Sequence, residues 1–384
     1  MARNRQNKFR EAIPIPPPAP LPEPEVINVE SVLNDYLSGN TDLIVVLGPT
    51  ASGKTRYAVN LAHRITSIAA SDSRLQLARR SEERCDEREA QGPEAEGFGN
   101  ISPHRGARGG ELQSAERSEA LSEGTIPPSC EILSADSRQV YRDMTIGTGK
   151  DLDEYGDVQY HLIDIVPAGT RFDLYQWLQA FEEAYQDIRS RGRIPILCGG
   201  TGLYIQAAIN GYSLPQVPPD EELREELEQY GIEELIEKLA EYGPLPDEGV
   251  LQSKRRVIRA LEVAVYQSKQ PVDKIEVKPK KAFCIGTLVG REERNARIDA
   301  RLDARLQGGL IEEVRNLLDS GIRPEDLMYY GLEYKFVTQH VLGILSYDEM
   351  RLLLGNAIHQ FAKRQMTWFR GMEKDGIKIH WTNV

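Results

Sequence analysis

The eight residues GPTASGKT at 48–55 constrain this chain more than any other stretch. They fit G-x-x-x-x-G-K-[ST] and lie between an apolar run, LIVVLG at 43–48, and a helical one, RYAVNLAHRI. A strand that turns through such a loop into a helix presents backbone N–H groups, a helix N-terminus and a lysine to one anion. Gly48 and Gly53 let the backbone curl, Pro49, Thr50, Ala51 and Ser52 complete the loop, Lys54 adds a point charge, and Thr55 can place a hydroxyl on a magnesium ion. The loop therefore predicts a bound di- or triphosphate with Mg2+, without saying which bond of it breaks.

Apolar strands and amphipathic helices alternate downstream, which predicts an α/β fold: a P-loop NTPase-like parallel sheet flanked by helices. The expected strands are 43–48, 131–135, 160–166 and 194–199, with a last one near 283–289. A short helix over 29–38 closes at Gly39; another carries Leu174, Trp177, Leu178, Phe181, Tyr185 and Ile188 at helical spacing, and those aromatics read as core. From 215 to 270 the chain is charged and helical, a small all-helical insertion, and the C-terminal region is helical to Trp381.

Two segments stand apart. Residues 1–25 begin basic and become proline-rich, an extended unpacked tail. Residues 67–129 are rich in Arg, Glu, Ser and Gly without apolar periodicity, and read as a disordered surface insertion. The expected organisation is a tail and short helix (1–40), a first part of the core (41–66), the insertion (67–129), and a second part of the core (130–214). A helical insertion (215–275) and a completing region with C-terminal helices (276–384) follow. The insertion carries SIAASDSR at 67–74, an echo of EILSADSR at 131–138; the second copy follows a strand and continues into QVYRDMTIGTGK, so it is taken as functional.

Composition narrows the partners. No run approaches 18 apolar residues and the first thirty lack a secretory segment, so a cytoplasmic chain without membrane contact is expected. Cys85, Cys130, Cys198 and Cys284 lack CxxC spacing and encode neither zinc site nor disulfide framework. A net charge of −12 argues against indiscriminate nucleic-acid coating but leaves room for a local basic surface.

Asp136 follows the strand EILSA, so a parallel sheet places it at the carboxyl edge beside the phosphate loop, where a carboxylate can bind a metal or accept a proton. GPTASGKT, SADSRQVYRDMTIGTGK, HLIDIV, GGTGLY at 199–204, RALEV at 259–263 and FAKRQMTWFR at 361–370 together resemble the bacterial tRNA dimethylallyltransferases. The resemblance runs from about residue 43 to 384, broken by the 67–129 insertion. It implies transfer of a dimethylallyl group from dimethylallyl diphosphate to N6 of the adenosine 3′ of the tRNA anticodon, releasing diphosphate, by a chain acting as a monomer. By the same resemblance Asp136 is the general base, and Thr50 and Arg291 hold the diphosphate. The segment Asp136, Ser137, Arg138, Gln139 grips the base, Thr201 lines the tRNA path, and Arg255, Arg256 and Arg259 touch the anticodon stem-loop. Arg255 stands where the family has glutamine, and YYGLEYKF at 329–336 resembles a variant subgroup. The competing readings are an adenylate isopentenyltransferase acting on AMP, ADP or ATP, a P-loop kinase, and a nucleotide-binding module without chemistry.

Overall fold

Strand β1 (Leu43–Leu47) is buried at every position, as a strand covered on both faces requires. Its side chains divide with period two: Leu43, Val45 and Leu47 join one core and Ile44 and Val46 the other. β2 (Cys130–Ala135) and β4 (Ile194–Gly199) are buried throughout in the same way, and β7 (Ala282–Leu288) for most of its length. With β3 (Tyr160–His161) and β8 (Ile379–Asn383) they form a six-stranded sheet in the order β3-β2-β4-β1-β7-β8, every neighbouring pair parallel. The structure is a computed structural model, describing residues 20–71, 129–272 and 274–384.

Helices cover both faces. On one side lie α1 (Val29–Leu37) and α2 (residues 54–71), whose Val32, Leu33, Ala58, Ala62 and Ile65 pack on Ile44, Val46, Ile132 and Ile196. On the other lie α3 (Leu174–Ser190) and α4 (Gly202–Asn210), with the C-terminal helices α9 (Arg291–Gln307), α10 (Leu310–Asp319), α11 (Pro324–Tyr329), α12 (Leu332–Val341) and α13 (Tyr347–Lys374). Trp177, Phe181 and Tyr185 of α3 stack in series inside that core, as their spacing predicts.

Between them α5 (Glu221–Leu227), α6 (Ile232–Ala240), α7 (Glu248–Leu251) and α8 (Lys254–Lys269) close a small core of their own around Leu227, Leu235, Leu239, Val257, Ile258 and Leu261. This insertion is not wholly helical: β5 (Tyr212–Pro215) and β6 (Lys274–Val277) pair antiparallel at its base.

Four further expectations need correction. The strand over 160–166 stops at His161, because Leu162 and Asp164 take positive φ of 67° and 57°. Asp164 and Ile165 then donate to the carbonyls of Gln139 and Val140 at 3.1 and 2.9 Å. The helical region ends at Lys374, and the chain then closes the sheet as β8, after a turn in which Gly376 holds φ 92°. The tail packs at its near end: Glu25 N–H donates to Trp381 O at 2.7 Å and its carboxylate meets His380. Residues 1–19 and 72–128 lie outside the described residues, whereas 67–71, expected within the insertion, are the last turn of α2, with Ala69 buried.

Candidate active site

Parallel strands bring their carboxyl ends, and the loops leaving them, to one edge of the sheet. There a cavity of about 580 Å³ opens, lined by the loops after β1, β2 and β4 and by α9, α12 and α13. The phosphate loop forms its floor: Thr50, Lys54 and Thr55 face the space. Gly53 (φ 77°) supplies the turn that Lys54 needs to begin α2. Ser52 is turned away and fully buried, its hydroxyl 2.6 Å from that of Thr287 on β7. Gly48 lies against those same two side chains, leaving no room for a Cβ. Ala51 touches a small recess beside the cavity, and Pro49 accepts from Ser52 N–H at 3.3 Å. The loop residues thus divide into ligand-facing groups and groups that hold the loop's shape.

Asp136 lines the same cavity, one residue beyond β2. Arg138 N–H donates to its Oδ1 at 2.9 Å, an Asx-type turn that fixes the carboxylate. Ser137 N–H donates to Thr201 Oγ1 at 3.1 Å, so the turns after β2 and β4 are tied together beneath the cavity. Gln139 is buried and supports the wall, accepting from Ser134 Oγ at 2.9 Å and donating to Gly149 O at 3.1 Å. Arg138 donates to Tyr329 O at 3.2 Å and lies over the Tyr329 ring at 5.7 Å. With half-exposed Phe361 and Trp368, Tyr329 gives the mouth of the cavity an aromatic rim.

Arg291 is the first residue of α9, exposed, and outside the cavity lining. The arginines of α9 that reach the cavity are Arg301 and Arg305, one turn apart. Arg301 pairs with Asp151 and Arg305 with Glu333, the latter at 3.5 Å. Burial, reinforced by Arg305 and opposed by Glu333, lowers the Arg301 guanidinium to about 10 even with Asp151 beside it. Burial likewise lowers the pKa of Lys54, outweighing the opposing pull of Cys198 and Asp136. An anion entering here relieves both.

Arg301 had a signal that went unused: it precedes Leu302 as Arg305 precedes Leu306, and those leucines mark the inward stripe of α9. Gln365, also unforeseen, lies in the KRQMTWFR stretch and is buried. Its Oε1 accepts from Thr50 N–H at 2.8 Å and its Nε2 donates to Gly200 O at 2.9 Å, joining the phosphate loop to the turn after β4. Trp368 packs on Gly202 so closely that a Cβ there would clash, and donates to Gln206 at 3.1 Å. No sequence spacing announces the Glu313 carboxylate, which accepts from N–H of Thr145, Ile146 and Gly147 at 2.7 to 2.9 Å and shapes the loop carrying Thr148 and Gly149.

Arg255, Arg256 and Arg259 lie on α8 in the insertion and do not line this cavity. Arg255 is exposed, Arg256 donates to Gly249 O at 2.8 Å, and Arg259 braces the insertion through Glu262 and Val217 O. Among the described residues no cluster of three His, Cys, Asp or Glu could hold a metal alone, and no helix is long and apolar enough to cross a membrane. The described cysteines, Cys130, Cys198 and Cys284, are buried free thiols pushed up to about 12 by burial.

The family model described as IPP transferase matches residues 139–372, more than half of the chain. A tRNA dimethylallyltransferase 2 of Porphyromonas gingivalis is 43% identical over 346 residues, covering 89% of this chain and 94% of that protein. A tRNA dimethylallyltransferase 1 of Parabacteroides distasonis is 49% identical over 258 residues, covering 66% and 84%. Among solved structures, the tRNA isopentenylpyrophosphate transferase of Bacillus halodurans superposes with a TM-score of 0.54 at 28% identity, over 89% of this chain and 90% of that one. A eukaryotic dimethylallyltransferase acting on tRNA shares the fold at a TM-score of 0.56 and 18% identity, over 88% and 73%. With the phosphate loop and Asp136 lining one cavity, these likenesses make the chain a member of the IPP transferase family, an enzyme of the tRNA dimethylallyltransferase type.

Proposed function

We propose that this chain transfers a dimethylallyl group from dimethylallyl diphosphate to N6 of the adenosine 3′ of the anticodon in tRNA. The observation that carries the reading is that Asp136, a phosphate loop and two arginines line a single cavity. The phosphate loop, Lys54, Arg301 and Arg305 hold the diphosphate, and their fixed positive charge offsets what develops as it leaves. The adenine amine attacks C1 of the prenyl group as the C1–O bond breaks. The amine proton passes to Asp136, held by Arg138 N–H, and from there to solvent. Thr50 orients the departing oxygens, its backbone pinned by Gln365.

Magnesium fits this cavity. Thr55 presents a hard hydroxyl oxygen to the space beside Lys54, which suits an ion that keeps several waters and takes the rest of its shell from phosphate. Bound there, it would neutralise part of the diphosphate charge.

The acceptor reaches Asp136 past the rim of Tyr329, Phe361 and Trp368, which offers ring faces to an extruded base and its neighbours, with Arg138 and Arg364 beside them for phosphate. Ser137 and Thr201 hold the base edge. The helical insertion, with exposed Arg255 and Arg256, meets the anticodon stem. The reading keeps the expectation of a monomer working in the cytoplasm.

The test is what leaves. With dimethylallyl diphosphate and unmodified tRNA, inorganic diphosphate should appear only when tRNA is present, and ATP with tRNA should yield no phosphate. Phosphate release from ATP, or prenylation of AMP at a rate matching tRNA, would overturn the proposal.

A further inference from the structure

Glu333 is out of place in a cavity built for an anion. It lines the space with Lys54, Arg301 and Arg305, and also the small recess that touches Thr50 and Ala51 of the phosphate loop. Its side chain is 19% exposed and that of Arg305, its partner at 3.5 Å, 15%. The other cavity arginine, Arg301, already has Asp151. So each arginine owns a resident carboxylate, but Asp151 is not part of the cavity wall and Glu333 is. Burial pushes the Glu333 carboxyl up, against the opposing effect of Arg305 and Arg301, as expected of a carboxylate held near the limit of what its partners support.

Two anions sharing a partly desolvated site weaken each other's binding, and the repulsion grows with the charge of the newcomer. When the C1–O bond breaks, the diphosphate gains one negative charge relative to its ester. A fixed carboxylate in the wall therefore opposes the product more than the donor, while it keeps Arg305 aimed into the cavity before either arrives.

We infer that Glu333 is a positioning residue that aims Arg305 and hastens diphosphate release by selectively disfavouring the free product. This deepens the proposed reaction and rests on the reading that diphosphate occupies this cavity. The residue lies in YYGLEYKF, on the second position of α12, where the Gly331 N-cap and the α12 start fix its direction.

The experiment measures product inhibition by inorganic diphosphate and KM for dimethylallyl diphosphate, with tRNA saturating, in wild type, Glu333→Gln and Glu333→Asp. Glutamine keeps the size and an oxygen that can face Arg305 but removes the charge; aspartate keeps the charge. In Glu333→Gln the inhibition constant of inorganic diphosphate should fall about tenfold, and the donor KM by about threefold or less. Glu333→Asp should stay near wild type. If Glu333→Gln does not fold, Glu333→Asn removes the same charge and reads the same ratio. An inhibition constant that is unchanged or higher in the neutral variant, or donor and product tightening by equal factors, overturns the inference. A wild-type protein that neither binds nor is inhibited by inorganic diphosphate overturns instead the occupancy of the cavity on which it rests.

Discussion

Arg291 and Arg301 stand on one helix, about 15 Å apart along its axis, and only the second lines the cavity. Arg301→Gln should lower kcat/KM by about 10²-fold or more, the usual loss when a preorganised charge is removed from a leaving group, whereas Arg291→Gln should stay within a few-fold. Steady-state prenylation of tRNA by both variants checks the assignment; the reverse order would return the role to Arg291. Gln365→Ala leaves Thr50 N–H and Gly200 O without partners. It should cost about 1–3 kcal/mol of stability by thermal melting, and lower kcat more than it raises the donor KM. Asp136 was legible in the sequence because a strand and a polar turn fix its place. Arg301 was hidden in a ladder of arginines at similar spacing. Gln365 was invisible because its partners Thr50 and Gly200 lie 315 and 165 positions away.

At the scale of elements, the helical insertion hangs on Glu262. Burial would raise this carboxyl, but Asp220 N–H at 2.6 Å, Arg259 and Arg224 outweigh it and hold it below the usual range. A carboxylate depressed in the folded state contributes stability above its unfolded pKa, near 4.3, and loses it as pH falls through the lower folded value. Helicity of the insertion should therefore be steady from neutral pH to about 5 and decline below about 4, and Glu262→Gln should lower its melting temperature at pH 7 while flattening that acid dependence. Circular dichroism of both proteins across pH checks this; a variant that keeps the wild-type acid profile would contradict it. The continuous apolar strands were legible from composition alone. β8 and the β5–β6 pair were not, since each is short and its pairing partner is remote or lies across the insertion. The break at Leu162 was equally hidden: HLIDIV reads as one strand, but the Asp164 ion pair with Lys150 draws its second half toward the turn after β2.

The whole molecule separates its reaction end from its long interruption. α2 starts at the cavity and runs about 27 Å back across the sheet to Ser71, and β2 resumes at Cys130, its end remote from Asp136. Closure cost rises by only about 0.6 kcal/mol per doubling of a loop, so joining 71 to 129 through a short linker should leave the fold and the prenylation rate within about twofold of wild type. Loss of folding in that variant would show that the segment contributes to the core. The acidic chain, at −12 overall, nonetheless gathers Lys54, Arg138, Arg301, Arg305 and Arg364 around one cavity, which is where the charge needed for two polyanionic substrates is found.

The most direct measurement is nucleoside mass spectrometry of unmodified tRNA incubated with the purified protein, magnesium and dimethylallyl diphosphate, beside Asp136→Asn. The account predicts N6-dimethylallyladenosine at the position 3′ of the anticodon with the wild type, and a rate lower by about 10²- to 10⁴-fold with a folded Asp136→Asn. Unmodified adenosine with the wild type, or an undiminished rate in the variant, would contradict it.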